Sequence, residues 1–323
     1  MRFALAVDLD MSRTTLFAVG AGIISALLYL SLLTGSTGAL IFAYLSSLPL
    51  FVAGLSLGIV PLLVAAAIGT LVTGIGDEFV SAAMYGGLTA GPVIWIVHLA
   101  MLSRSSAGTV EWYPAGRLIT WLSAIAGGYF LIAIAAFSAL EGGIRGQVES
   151  FLATILEKLA GRPWAEMEGA HVLMEVYEPL FPAMVGVSWI IMMSLNGILA
   201  QGLLSRFGKN LRPSPTMAVL QLPRALAFMF AAALLASLAP SLVGYAGTTI
   251  SVYIMVPYLL LGLAVVHALA SKLSSAHVVL VIFYVVLVLF GLFGLALTAG
   301  LGLVEQWFNV RRRCGVVYKG EEE

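Results

Sequence analysis

The chain has 323 residues, with 16 Lys+Arg against 16 Asp+Glu, so its formal net charge is zero and nothing in the totals suggests a nucleic acid or another strongly charged partner. Hydrophobic residues make up 61% and charged residues only 10%, with a mean hydropathy of +1.03, and no water-soluble domain covers that much apolar side chain with so few charges. The single cysteine, Cys314, excludes an internal disulfide and a multi-thiolate metal centre.

A helix rises about 1.5 Å per residue, so a run of roughly 18–20 apolar residues matches the hydrocarbon core of a bilayer. Such runs recur at 14–34, 38–57, 58–75, 81–102, 118–140, 181–204, 217–240, 245–271 and 277–304, which predicts an all-α polytopic transmembrane helix bundle of about eight or nine spans. Met1 to Arg13 precede the first run without a small-residue cleavage pattern, and a retained first helix is expected rather than a signal peptide. The stretch from Gly38 to Gly74 has no charged break and is too long for one upright helix. Pro49 and Pro61 offer places to bend it, so either two helices form a hairpin or one tilted helix carries a re-entrant piece.

The longest connection, 141–180, is acidic through Glu141, Glu149, Glu157, Glu166, Glu168, Glu175 and Glu178, against Arg145, Lys158 and Arg162. Within it Val148, Phe151, Leu152, Ile155, Leu156 and Leu159 recur at helical spacing, which predicts an amphipathic helix ended by Gly161 and Pro163. It either packs on the bundle or acts as a lid.

Lys and Arg in short loops set orientation. With a hairpin at 38–75, Arg2, Arg13, Arg104, Arg117, Arg206, Lys209 and Arg212 agree on a cytoplasmic N-terminus, with 141–180 facing outward. Nine crossings then put Arg311, Arg312 and Arg313 outside, against the rule. Either the last stretch turns back near Gly291 and Gly294 or one earlier segment does not cross.

Polar and helix-breaking residues inside apolar segments are the candidate site. Pro49, Gly54 and Gly58 suit either close helix packing or the lining of a pocket, and Gly86, Gly87 and Gly91 form a second small-residue face. Asn196 and Gln201, beside Met192 and Met193, serve either interhelical hydrogen bonds or a ligand. Tyr253, Pro257 and Tyr258 mark a kink that frees backbone carbonyls. His98 and His267 sit near helix ends. Arg224 is a snorkelling anchor if its helix begins beside it. Glu168, His171, Glu175 and Glu178 share one helical face, an arrangement that also arises by chance in an acidic loop, and no metal site is assigned to it. No nucleophile elbow, phosphate loop, zinc helix or dinucleotide fingerprint occurs, so no catalysis and no cofactor are expected. The polar basic tail, 305–323, offers Trp307 and Phe308 to the headgroup layer and three arginines to anionic phosphates.

In that tail Gly302, Leu303, Glu305, Trp307, Phe308 and Arg311 to Arg313, together with Leu48-Pro49, Gly54, Gly58 and Gly262, resemble the YybS-like family of bacterial polytopic membrane proteins. Glu305 and Asn309 depart from it, standing where the family pattern has aspartates. About the first six helices are similar in pattern to the substrate-binding components of energy-coupling-factor vitamin transporters. The resemblance implies a multi-pass protein of the bacterial inner membrane that binds a small solute and docks on a membrane coupling subunit, with no ATPase of its own. The alternative is a structural or scaffolding protein that assembles with other envelope proteins through its glycine faces and tail.

Overall fold

The computed structural model describes residues 2–106, 109–161, 163, 169–216 and 219–314. Eight of its helices are long and apolar enough to cross a membrane, in agreement with an all-α polytopic bundle. The chain forms two compact units, Met1–Leu122 with Ile191–Thr216, and Ser123–Ile190 with Met217–Glu323.

The first unit opens with α1 (Arg2–Leu30), followed by α2 (Thr37–Tyr44), α3 (Leu48–Leu57) and α4 (Ile59–Gly76). Contacts along α1 give the chain direction. Ser31 bonds to the carbonyl of Ala39 and Ser25 to that of Ser46, so α2 and α3 run antiparallel to α1. A Cβ on Gly22 would meet Ala65 and Gly69, and one on Gly76 would meet Leu30, so α4 runs parallel to α1. The chain therefore reverses at Gly58, whose φ of 94° lies where side chains are disfavoured. Residues 38–75 are two candidate spans in a hairpin, the first divided between α2 and α3.

Next come α5 (Phe79–Tyr85), a π-helical turn (Gly86–Ala90) and α6 (Gly91–Ala100), antiparallel to α4. An antiparallel hairpin follows, β1 (Ser103–Ser106) and β2 (Thr109–Trp112). Two long helices, α7 (Ala115–Phe137) and α9 (Ala170–Arg206), contribute to both units.

Between them lies α8 (Gly143–Ala160), the amphipathic helix of the acidic connection. Ile144, Val148 and Ala153 are buried, and Gly161 ends it in the left-handed conformation with its N–H on Glu157. Bidentate bonds from Arg145 to Glu178, 3.0 and 2.8 Å long, tie it to α9. That hydrogen bonding raises the Arg145 guanidinium above its ordinary pKa. Arg162, Glu166 and Glu168 lie outside the described residues. The expected start of the sixth span at 181 is corrected: α9 begins at Ala170 and carries Pro179 and Pro182 inside it.

The second unit adds α10 (Ala225–Ser237), α11 (Ser241–Ala270), α12 (Ala276–Phe308) and α13 (Val310–Arg313). The expected span at 217–240 is corrected, because α10 has only 13 residues. Pro223, with no N–H to donate, leaves 220–223 outside any helix, and Arg224 sits exposed at the head of α10 as an anchor would. α10 and α11 meet face to face where Gly247 leaves no room for a Cβ against Ala233, Ala236 and Ser237.

α12 is broken at Gly291, whose φ of 51° and ψ of −127° are not helical. The carbonyl oxygen of Leu287 lies 3.1 Å from where a Cβ on Gly294 would stand, although residues seven apart in a straight helix are separated by about 10 Å. Lys272, just past α11, donates to the Cys314 carbonyl at 2.6 Å. The last apolar stretch thus folds back and returns to the end of α11 from which it started.

The tail also differs from expectation. Arg311 is 3% exposed, not offered to lipid headgroups. It donates from Nε to Glu305 at 2.7 Å and from its guanidinium to the Leu220 carbonyl at 2.7 Å. Asn309 takes a positive φ of 49° to turn α13 back onto that acid. Arg312 and Arg313 remain exposed, and residues 315–323 lie outside the described set.

Candidate intramembrane site

Two prolines interrupt helices well inside candidate spans of the first unit. Pro49, in the first turn of α3, has no N–H for the carbonyl of Leu45, which instead accepts from Leu48 at 3.0 Å. Leu48 N–H is the donor that an unbroken helix gives to Tyr44, so the Tyr44 carbonyl is released at the end of α2. Pro92 has the same effect on the other span. Ahead of it Gly91 N–H reaches back five residues to Gly86, which makes the π-helical turn.

Side chains from neighbouring helices meet the exposed backbone. Asn196 on α9 donates from Nδ2 to the Tyr44 carbonyl at 2.6 Å and to Met192 at 3.0 Å. Ser25 on α1 donates to the Ser46 carbonyl at 2.5 Å and lies 2.7 Å from the Tyr85 hydroxyl. A serine has one proton, and with it on Ser46 the tyrosine is the donor to Ser25. Tyr85 is fully buried, and its hydroxyl reaches the chain only because Gly69 has no Cβ to meet it. The Tyr29 ring stands edge-on to that of Tyr85, with centroids 5.3 Å apart.

Ser25, Ser46, Ser47, Tyr85 and Asn196 are therefore a buried neutral polar cluster around the α2–α3 break and at the head of the π-helical turn. Two of its atoms have no hydrogen-bond partner: the Ser47 hydroxyl and Oδ1 of Asn196. An unpaired buried polar group costs about 1–3 kcal/mol. Asp77, Glu78 and Glu111 of this unit are exposed, and Asp77 is occupied by Ser81.

The other candidates have defined places. Pro49 creates the break. Gly54 lets α3 approach Val97 of α6 and Leu62 of α4, and Gly58 is the hairpin turn. Gln201 faces the loop after α9, donating to the Arg212 carbonyl at 2.8 Å and to Ser214 at 3.1 Å. Arg212 is itself buried and caps α6 through the Ala100 carbonyl at 3.1 Å, with a second bond to Tyr113 at 2.7 Å. Burial lowers its guanidinium below the ordinary value. Asn196, Pro49, Gly54 and Gly58 thus gather near the break, while Gln201 holds a loop.

Tyr253 and Tyr258 belong to the second unit. Tyr253 donates to the Pro182 carbonyl at 2.6 Å, accepts from Ser123 on its own carbonyl at 3.0 Å, and has Gly186 against its ring. Tyr258 donates to Gln306 at 2.6 Å, which in turn donates to the Pro223 carbonyl at 3.0 Å. His267 lies against the Leu263 carbonyl at 2.9 Å and near Tyr284. Glu178 is taken by Arg145, and among the described residues no three His, Cys, Asp or Glu side chains gather to hold a metal.

Ser25, Ser46, Ser47 and Tyr85 were absent from the expected site. The only sequence signals for them were Ser46-Ser47 directly before Leu48-Pro49, and Tyr85-Gly86-Gly87 ahead of Gly91-Pro92.

No curated protein and no solved structure matches the chain. The profile of a family described as "Predicted membrane protein (DUF2232)" matches residues 13–305. That match takes in both broken spans, the connection at 141–180 and the helices up to Glu305, so the chain belongs to this family of predicted membrane proteins.

Proposed function

We propose that the protein is the small-solute-binding component of a transport system in the bacterial inner membrane, with a separate partner supplying energy. The observation that carries this is the break between α2 and α3, lined by buried Ser25, Ser46, Ser47 and Asn196. Discontinuous helices place uncommitted backbone and polar side chains at mid-membrane, which is how many transporters build their substrate sites. The similarity in pattern of the first six helices to energy-coupling-factor components agrees with this reading as a fold-level analogy only. Native mass spectrometry of gently purified protein is the test. A small molecule retained by the wild type and lost from Asn196→Leu supports a solute site. Wild-type protein free of any small molecule, with a stoichiometric envelope protein in its place, supports the scaffolding alternative. That alternative draws on the last helix, of which only 6% of the apolar window is buried.

A further inference from the structure

In the second unit one guanidinium, that of Arg145, touches both a buried carboxylate and an aromatic face. Both of its mapped bonds go to Glu178, at 3.0 and 2.8 Å, and its central carbon lies 5.5 Å from the centre of the Tyr245 ring. Those two walls therefore face one space, and its occupant is a cation. The walls belong to a fixed frame. Tyr253 ties α11 to the Pro182 carbonyl, one turn beyond Glu178 on α9, and Gly186 lies against the same ring. Phe130 on α7 backs the frame, with its ring 6.0 Å from that of Tyr245 and 6.3 Å from that of Tyr253.

The occupant is held less firmly than the walls. The Glu178 side chain is 10% exposed but that of Arg145 is 54% exposed, so the box opens to solvent on the arginine side. Arg145 hangs on α8, where the buried side chains among those described are Ile144, Val148 and Ala153, and Phe151 is 52% exposed. Gly142, Gly143 and Gly161 bound that helix at positive φ of 70°, 57° and 67°, which makes glycine joints at both ends. If α8 lifts, Glu178 loses both bonds and becomes a buried charge without compensation, a costly state that a replacement cation relieves. A guanidinium replaces Arg145 in full, because its planar fork gives two parallel bonds and a face for the ring, whereas an ammonium brings a point charge.

We propose that Glu178 and Tyr245, backed by Phe130, form a binding site for the guanidinium group of a solute, and that Arg145 fills it as a tethered stand-in until that solute displaces it and α8 lifts. This site is separate from the α2–α3 break, and either can fail alone. The probe is methylguanidinium, read against choline at constant ionic strength on purified protein in detergent. With Cys314→Ser removing the native thiol, Val148→Cys places a reporter on the buried face of α8. Methylguanidinium should speed its labelling by a maleimide saturably, by about tenfold, and choline should not. In Glu178→Gln the labelling should be fast in both salts, because the charge that holds α8 is gone. Thermal unfolding without the reporter remains informative if Val148→Cys does not fold. Methylguanidinium should raise the Tm of Arg145→Ala saturably, and the wild type should need about tenfold more of it, since Arg145 must first be displaced. Equal labelling in the two salts overturns the proposal, as does a methylguanidinium response that survives Glu178→Gln. A rise in Tm for Arg145→Ala with none for the wild type overturns it too, because Arg145 and Glu178 would then be a structural ion pair and nothing more.

Discussion

At the scale of single residues, the site depends on an atom that is missing. Gly69 leaves the space into which the Tyr85 hydroxyl fits, and that hydroxyl feeds Ser25, which holds the Ser46 carbonyl. Gly69→Ala puts a methyl against the phenol and should destabilise by about 1–3 kcal/mol. Tyr85→Phe removes the nearest colliding atom, leaving ring carbons at 2.9 and 3.0 Å, and loses one buried bond, a change of about 1 kcal/mol. The double variant should therefore be more stable than the two separate losses predict, by about 1 kcal/mol in a thermal-unfolding cycle; strict additivity would show that the two residues do not touch. Asn196 was legible because an amide in an apolar run needs a reason. Ser25 and Ser47 were not, since serine and threonine in apolar helices often bond their own preceding turn. Ser56 to Val52, Thr70 to Ala66 and Thr73 to Gly69 do so in this same unit. Glu305 and Arg311 misled for a related reason. Read along the chain they look like part of a charged stop, and only the turn at Asn309 brings them together as a buried pair.

At the scale of elements, apolar length located the helices and proline decided how they end. The hairpin at 38–75 could be anticipated because no single helix of that length fits a bilayer. Its direction needed the register against α1. The expected span at 217–240 failed because apolar residues continue on both sides of Pro223 while the backbone does not. The fold-back of α12 was one of two options before the structure, and Gly291 carries it. With φ of 51° and ψ of −127°, that position suits glycine, and a side chain there costs about 1–3 kcal/mol. Gly291→Val should therefore strain the bend. Because the bend returns the chain to Lys272, the same change should also loosen the Lys272–Cys314 contact and speed modification of the Cys314 thiol. An unchanged rate of thiol labelling would mean that the tail is held independently of the bend.

At the scale of the whole molecule, the fold-back bears on the charge conflict left by simple counting of apolar runs. Take the N-terminus as cytoplasmic. Arg104, Arg117, Arg206, Lys209 and Arg212 then follow an even number of crossings. α10, about 20 Å long, does not span the core as a helix by itself; only if it and α11, which it meets face to face, leave and return as a pair do Arg224 and Lys272 fall on one side. Since α12 comes back to Lys272, exposed Arg312 and Arg313 would join them, and on these two premises the exposed basic loop residues would follow the loop rule with a cytoplasmic tail. The acidic connection with α8 falls on the other face. Cys314 is the only cysteine and is exposed, so the native chain carries its own reporter of this arrangement. A membrane-impermeant maleimide should label inside-out vesicles and leave right-side-out cells unlabelled until they are permeabilised. Labelling of intact cells would put the tail outside. One of two premises would then be wrong: the cytoplasmic N-terminus or the pairing of α10 with α11. A cysteine placed at exposed Glu141 separates them, since labelling there from outside keeps the N-terminal half as drawn and moves the error to α10.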